Sequence, residues 1–88
     1  MSLKSWEDAA KKLLVGRKIV GVRYMTDKEA SSYAWFSKPI VLVLDNGVAI
    51  FPSKDDEGND GGALFTTDDK IDGIPVVGRA AFDEDLED

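Results

Sequence analysis

"PIVLVLDNGVAIFP", residues 39–52, decides how this chain folds. Two apolar runs rich in β-branched residues flank Asn46-Gly47, the pair that supplies the two positive-φ positions of a type I′ turn. The spacing predicts a tight hairpin in which Ile40–Asp45 pairs with Val48–Pro52. In that register Leu44 faces Ala49 and Leu42 faces Phe51 on one side, and Val43 faces Ile50 on the other. Both faces are apolar, so both need cover.

Cover has to come from a short chain. At 88 residues the protein is one domain with a single modest core. Upstream, Leu3, Trp6, Ala10, Leu13 and Leu14 recur at three- and four-residue steps, which predicts an amphipathic helix with Trp6 in the core. Ser2 or Ser5 can cap it, Lys11 and Lys12 lie late in it, and Gly16 stands at its left-handed stop. "RKIVGVRYM" reads as a strand in which Gly21 marks a bend, a bulge or a close backbone approach. "TDKEASSYAW" opens with Thr26 three residues before Glu29, the capping-box spacing, and predicts a short helix from about Asp27 to Ala34. Pro39 ends that connection, and Lys38 guards the sticky strand after it. Farther on, "ALFTT" reads as a short strand, "DDKIDGIP" as a turn region and "VVGRAAF" as a last edge strand.

The expected fold is therefore α+β. The N-terminal amphipathic helix packs on a small, strongly curved, mainly antiparallel sheet of four or five strands that resembles an SH3-like barrel. One hairpin face takes the helix; the other is closed by curling of the sheet or by a second subunit, with a dimer favoured. Residues 1–82 form the domain and the acidic 83–88 a disordered tail.

Composition narrows the chemistry. The chain contains neither cysteine nor histidine, which excludes disulfides, thiolate metal sites and the Ser-His-Asp and Cys-His nucleophile systems. The longest apolar run, "IVLVL", is far short of a membrane span, and acids stand where a signal peptide has its apolar segment, so a soluble cytoplasmic protein is expected. Residues 1–44 carry eight Lys/Arg against four Asp/Glu, whereas residues 45–88 carry three against thirteen. That acidity weighs against nucleic acid as a partner, although Lys11, Lys12, Arg17, Lys18 and Arg23 could form a basic face.

The remaining conspicuous stretch is "PSKDDEGNDGGALF", residues 52–65. Asp55, Asp56, Glu57, Asn59 and Asp60 offer oxygen ligands to calcium or magnesium, yet Gly58 and Thr67 occupy ligand positions of an EF-hand that starts at Asp56. A glycine-permitted loop, whose Asp and Asn side chains bond neighbouring backbone N–H groups, accounts for the same residues. Carboxylate acid/base catalysis needs a dry pocket that an exposed acidic loop does not provide. Nearby, Tyr33, Trp35 and Phe36 have the composition of an interaction surface, or of a lid on the core.

"KIVGVRYMTDKEA", "PIVLVLDNGVAIFPS" and above all "DDEGNDGGALF" resemble a family of small uncharacterised proteins from bacteria and tailed phages. The resemblance covers about residues 16–66. It implies that the loop is a signature of the fold or of its binding site, and it carries over no catalytic role. The resulting expectation is a non-enzymatic interaction or assembly module without a cofactor. It self-associates and contacts a protein partner through loop 54–62 and segment 33–36. The alternative is a divalent-cation-binding protein, or a metal-assisted hydrolase, built on the acidic loop.

Overall fold

The computed structural model describes residues 2–79. The acidic tail and the end of "VVGRAAF" lie outside them. The described chain is α+β, as expected, but its strands form three small antiparallel sheets and do not close into a barrel.

The largest sheet has the order β1-β3-β4 and joins β1 (Ile19–Tyr24), β3 (Ile40–Leu44) and β4 (Ala49–Ile50). Between Ile19 and Gly21 the pairing with β3 slips by one residue, so Gly21 does sit at a bulge. The hairpin forms, but in another register: Leu42 pairs with Ile50 and Val43 with Ala49. Its turn explains the slip. Only Gly47 takes a positive φ, 84°, and the Asn46 Oδ1 instead accepts the Val48 N–H at 3.1 Å. Gly47 N–H donates to the Leu44 carbonyl at 3.0 Å, and Leu44 N–H to that of Val48 at 2.9 Å. Asp45, Asn46 and Gly47 thus make a three-residue loop with the glycine as its left-handed member, rather than a two-residue type I′ turn. A one-residue slip exchanges the partners across the strands. Val41 and Val43 now lie on the side that faces Phe51, while Val22, Leu42 and Ile50 form a row on the opposite side.

The inner side carries the core. Met25, Ala30, Trp35 and Val41 are buried together, with Val43 and Phe51 packed against them. Helix α2 (Asp27–Ser32) contributes Ala30 and starts at the anticipated capping box: Thr26 Oγ1 accepts the Glu29 N–H at 3.2 Å, and Glu29 Oε1 accepts the Thr26 N–H at 2.9 Å. It ends earlier than Ala34. Trp35 N–H donates to the Ala30 carbonyl and Ala34 N–H to that of Ser31, and Ala34 takes φ 60° between them, a Schellman stop with alanine where glycine is usual.

Two short ladders complete the fold. Strand β2 (Ser37–Lys38) pairs with β7 (Val77–Gly78), and β5 (Leu64–Phe65) with β6 (Gly73–Ile74) inside the segment expected to be turn. Lys38, expected to guard the strand from solvent, is instead fully buried, as is Pro39. Arg79 ties β7 back to the core side: its guanidinium donates to Asp27, to the Trp35 carbonyl at 3.0 Å and to Ser31 Oγ at 2.8 Å.

Helix α1 (Leu3–Leu14) forms as expected, with Ser2 as its N-cap, but it is not part of the core. None of its residues is buried, and Trp6 is 63% exposed. Packing of this helix on the sheet, expected from its apolar stripe, is not what the chain does. The link to β1 is short and ordered. Val15 at φ −68°, ψ 131° and Gly16 at φ 80° are the central residues of a type II turn closed by Arg17 N–H on the Leu14 carbonyl at 3.2 Å. The next residue, Lys18, is held through its carbonyl by Asp45 N–H at 2.9 Å. The Cα radius of gyration, 14.0 Å, exceeds the roughly 12 Å of a compact domain this long, in keeping with a helix outside the core.

Candidate functional site

Loop 52–62 is built from its neck outward. Proline at 52 has no N–H to continue the β4 ladder, and its carbonyl accepts the Gly62 N–H at 2.9 Å. Ser53 bridges Gly61, and Lys54 N–H donates to the Asp60 carbonyl at 3.0 Å, so the neck is a miniature antiparallel pair. At the tip Asp55 organises the backbone. Its Oδ1 accepts the N–H groups of Glu57 at 3.1 Å and Asn59 at 3.2 Å, and its Oδ2 the Asn59 side-chain amide at 2.8 Å. The Asn59 amide, with the backbone N–H groups of Asn59 and Glu57, holds the Asp55 carboxyl below its usual range.

Asp60 turns inward. Its Oδ1 accepts three backbone N–H groups, from Gly61 at 2.8 Å, Ser37 at 2.9 Å and Phe36 at 3.0 Å. Partial burial pushes the Asp60 carboxyl up, but the N–H groups of Ser37, Gly61 and Phe36 outweigh it, and the net shift is downward. The clamp joins the acidic loop to the aromatic segment, as does Trp35, whose Nε1–H donates to the Gly58 carbonyl at 2.6 Å. Around it Tyr33, Trp35 and Phe51 form a ring cluster with centroids 5.1–5.8 Å apart.

The paired glycines of the loop follow from this docking. A Cβ on Gly61 would stand 2.7 Å from Pro39 Cδ and 2.9 Å from the Ser37 carbonyl oxygen; one on Gly62 would stand 2.9 Å from the Ser53 carbonyl. Backbone meets backbone there, and only glycine fits.

The sequence candidates therefore gather into one region but divide in role. Trp35 is buried at 4% exposure, and Asp55 and Asp60 bond backbone N–H groups of the loop and its neighbours. Tyr33, Phe36, Asp56, Glu57 and Asn59 remain exposed, Phe36 at 79%. Among the described residues no group of three acidic side chains is placed to hold a metal ion.

Two concavities went unanticipated. One, of about 320 Å³, has Met25, Val41, Ala49 and Phe51 as its apolar floor and Arg23, Glu29, Ser32 and Tyr33 on its rim. Its charges are mutually satisfied, since Arg23 grips Glu29 through two bonds of 2.7 and 2.9 Å. The Arg23 guanidinium, aided by the Thr26 N–H and opposed by partial burial, holds the Glu29 carboxyl at about 2. Their separation of six positions hid this pair, although the capping box already placed Glu29. The other concavity, of about 220 Å³, is an apolar groove lined by Leu42, Ile50, Phe51, Pro52 and Leu64 on the outer side of the sheet.

No helix among the described residues is long and apolar enough to cross a membrane. No family model matches the chain, and no match is found among curated proteins or solved structures.

Proposed function

We propose that this protein is a non-enzymatic interaction and assembly module of the cytoplasm that self-associates and presents Tyr33, Phe36 and the loop tip at Asp56, Glu57 and Asn59 to a protein partner. The observation that carries the reading is Phe36: a large apolar side chain left in water on a backbone whose N–H is clamped by Asp60 and whose carbonyl accepts Arg79 N–H at 3.2 Å. An exposed aromatic on a preorganised backbone costs little to order on binding, which is how interface anchors gain affinity. On this reading the three small sheets are an open relative of SH3-like barrels. Membership of the bacterial and tailed-phage family suggested by "DDEGNDGGALF" belongs to the same proposal and adds no activity to it.

Replacing Phe36 by a photo-crosslinking phenylalanine analogue tests the contact face. A discrete cross-linked protein is expected from position 36 and not from Lys70 substituted in the same way. Equal labelling from both positions would remove the partner face. Sedimentation velocity from about 1 to 200 µM tests self-association separately, and a concentration-independent monomer would remove that part.

A further inference from the structure

Two apolar surfaces of this chain are incompletely covered. One is the α1 stripe of Leu3, Trp6, Ala10, Leu13 and Leu14. The other lies on the outer side of the main sheet, where Ile40 and Leu44 are buried but the row between them, exposed Val22 with half-buried Leu42 and Ile50, runs across all three strands into the groove closed by Pro52 and Leu64. Val22 is 58% exposed, and neighbouring Ile19 is similarly open to water. A 12-residue helix is about 18 Å long. Three strands spaced about 4.8 Å apart span about 10 Å, so a helix laid across them covers the row and extends over the adjoining groove.

Each surface is what the other needs, but one chain does not bring them together. The type II turn at residues 14–17 and the Lys18–Asp45 backbone bond order the link between α1 and β1, and within the chain no residue of α1 is buried. Charge points the same way. Residues 2–18 hold five Lys/Arg against two Asp/Glu, a net +3, whereas residues 19–79 hold six against ten, a net −4. The arm therefore attracts the body of another copy. A two-fold exchange covers both surfaces of both copies and leaves none over, which closes the assembly at two.

We infer that two copies of this chain dimerise by exchanging α1, each helix laying its Trp6 stripe across Val22, Leu42 and Ile50 of the other. This rests on the self-association proposed above and specifies its geometry. The exchange uses neither Phe36 nor the loop tip, so the dimer leaves the proposed partner contacts free of it.

The absence of native cysteine makes the test direct. Ala10→Cys and Val22→Cys are prepared as separate full-length variants, mixed, and equilibrated in a glutathione redox buffer. A disulfide-linked dimer containing one of each, identified by mass, is expected. In parallel, Leu13→Glu is expected to weaken the dimer at least tenfold in sedimentation equilibrium, and Lys12→Ala to leave it within about twofold. Leu13 is not buried within its own chain, so unchanged far-UV circular dichroism is expected for that variant. A dimer that persists in Leu13→Glu, with no mixed disulfide, overturns the exchange while leaving self-association standing. A doubly substituted chain that cross-links only within itself as a monomer overturns it in favour of a helix folded on its own sheet. A strict monomer at about 200 µM overturns both the exchange and the self-association beneath it.

Discussion

Asp60 is the residue on which the candidate site hangs. One carboxylate oxygen collects N–H groups from two separate segments, and bonds of this charge-assisted kind contribute about 1.5–3 kcal/mol each before loss of hydration is offset. Asp60→Ala should therefore lower the melting temperature by roughly 5–15 °C, whereas Asp56→Asn at the exposed tip should leave it within a few degrees. A thermal melt of the two variants beside the parent measures both. Ala34 offers the opposite sign. It occupies φ 60°, where a Cβ costs roughly 1 kcal/mol, so Ala34→Gly should stabilise the chain by about 0.5–1 kcal/mol. A lower denaturant midpoint for that variant would contradict the strain. Gly61→Ala should be among the worse single changes, costing about 1–3 kcal/mol, because its Cβ meets Pro39 and the Ser37 carbonyl, neither of which can move freely.

At the scale of elements, α2 is held at both ends. The capping box and the Arg23 fork meet at Glu29, whose folded pKa of about 2 lies below its ordinary 4.5. A depressed carboxylate stabilises the fold above its unfolded pKa and loses that contribution as pH falls through the folded value. The window is thus about pH 5 down to 2. Both side chains are 41% exposed, so screening by solvent reduces the effect to about 1 kcal/mol. Urea melts of the parent and Glu29→Gln should differ most near neutrality and converge as pH approaches 2; a constant gap would show that Glu29 acts through packing rather than charge. The hairpin has its own signature. Its loop places Gly47 alone at positive φ, so Gly47→Ala should cost about 1 kcal/mol while Asn46→Asp, which keeps the accepting oxygen, should cost little.

The whole molecule is governed by what its core leaves out. A cluster of four buried apolar residues with two partly buried neighbours, beside buried Ile40 and Leu44, makes a small core, and truncating Trp35 to alanine should cost about 3–5 kcal/mol, enough to unfold much of the protein at 37 °C. Under the proposed exchange such a domain gains stability from association, since surfaces it leaves open are covered between copies. Its melting temperature should accordingly rise with protein concentration. Millimolar Ca²⁺, Mg²⁺ or Mn²⁺ should add nothing beyond an ionic-strength control, because Asp55 and Asp60 already accept N–H groups that a cation would have to displace. A shift of about 10 °C for one ion would reopen the cation reading.

The sequence by itself determined what depends on neighbours along the chain. The α1 periodicity and its Ser2 cap, the Thr26/Glu29 box and the existence of a hairpin at Asn46-Gly47 all rest on interactions within a few residues. The tertiary structure decided the rest. Whether Asn46 uses its backbone or its side chain to satisfy the turn shifts the hairpin by one residue, and local propensity allows both. Asp60 and Phe36 are 24 positions apart and Arg79 and Trp35 are 44, separations at which no pattern in the chain records a contact. An apolar stripe states only that a helix needs a partner. In the fold no residue of α1 is buried, because a hydrophobic face has no address of its own and only the tertiary structure assigns it one.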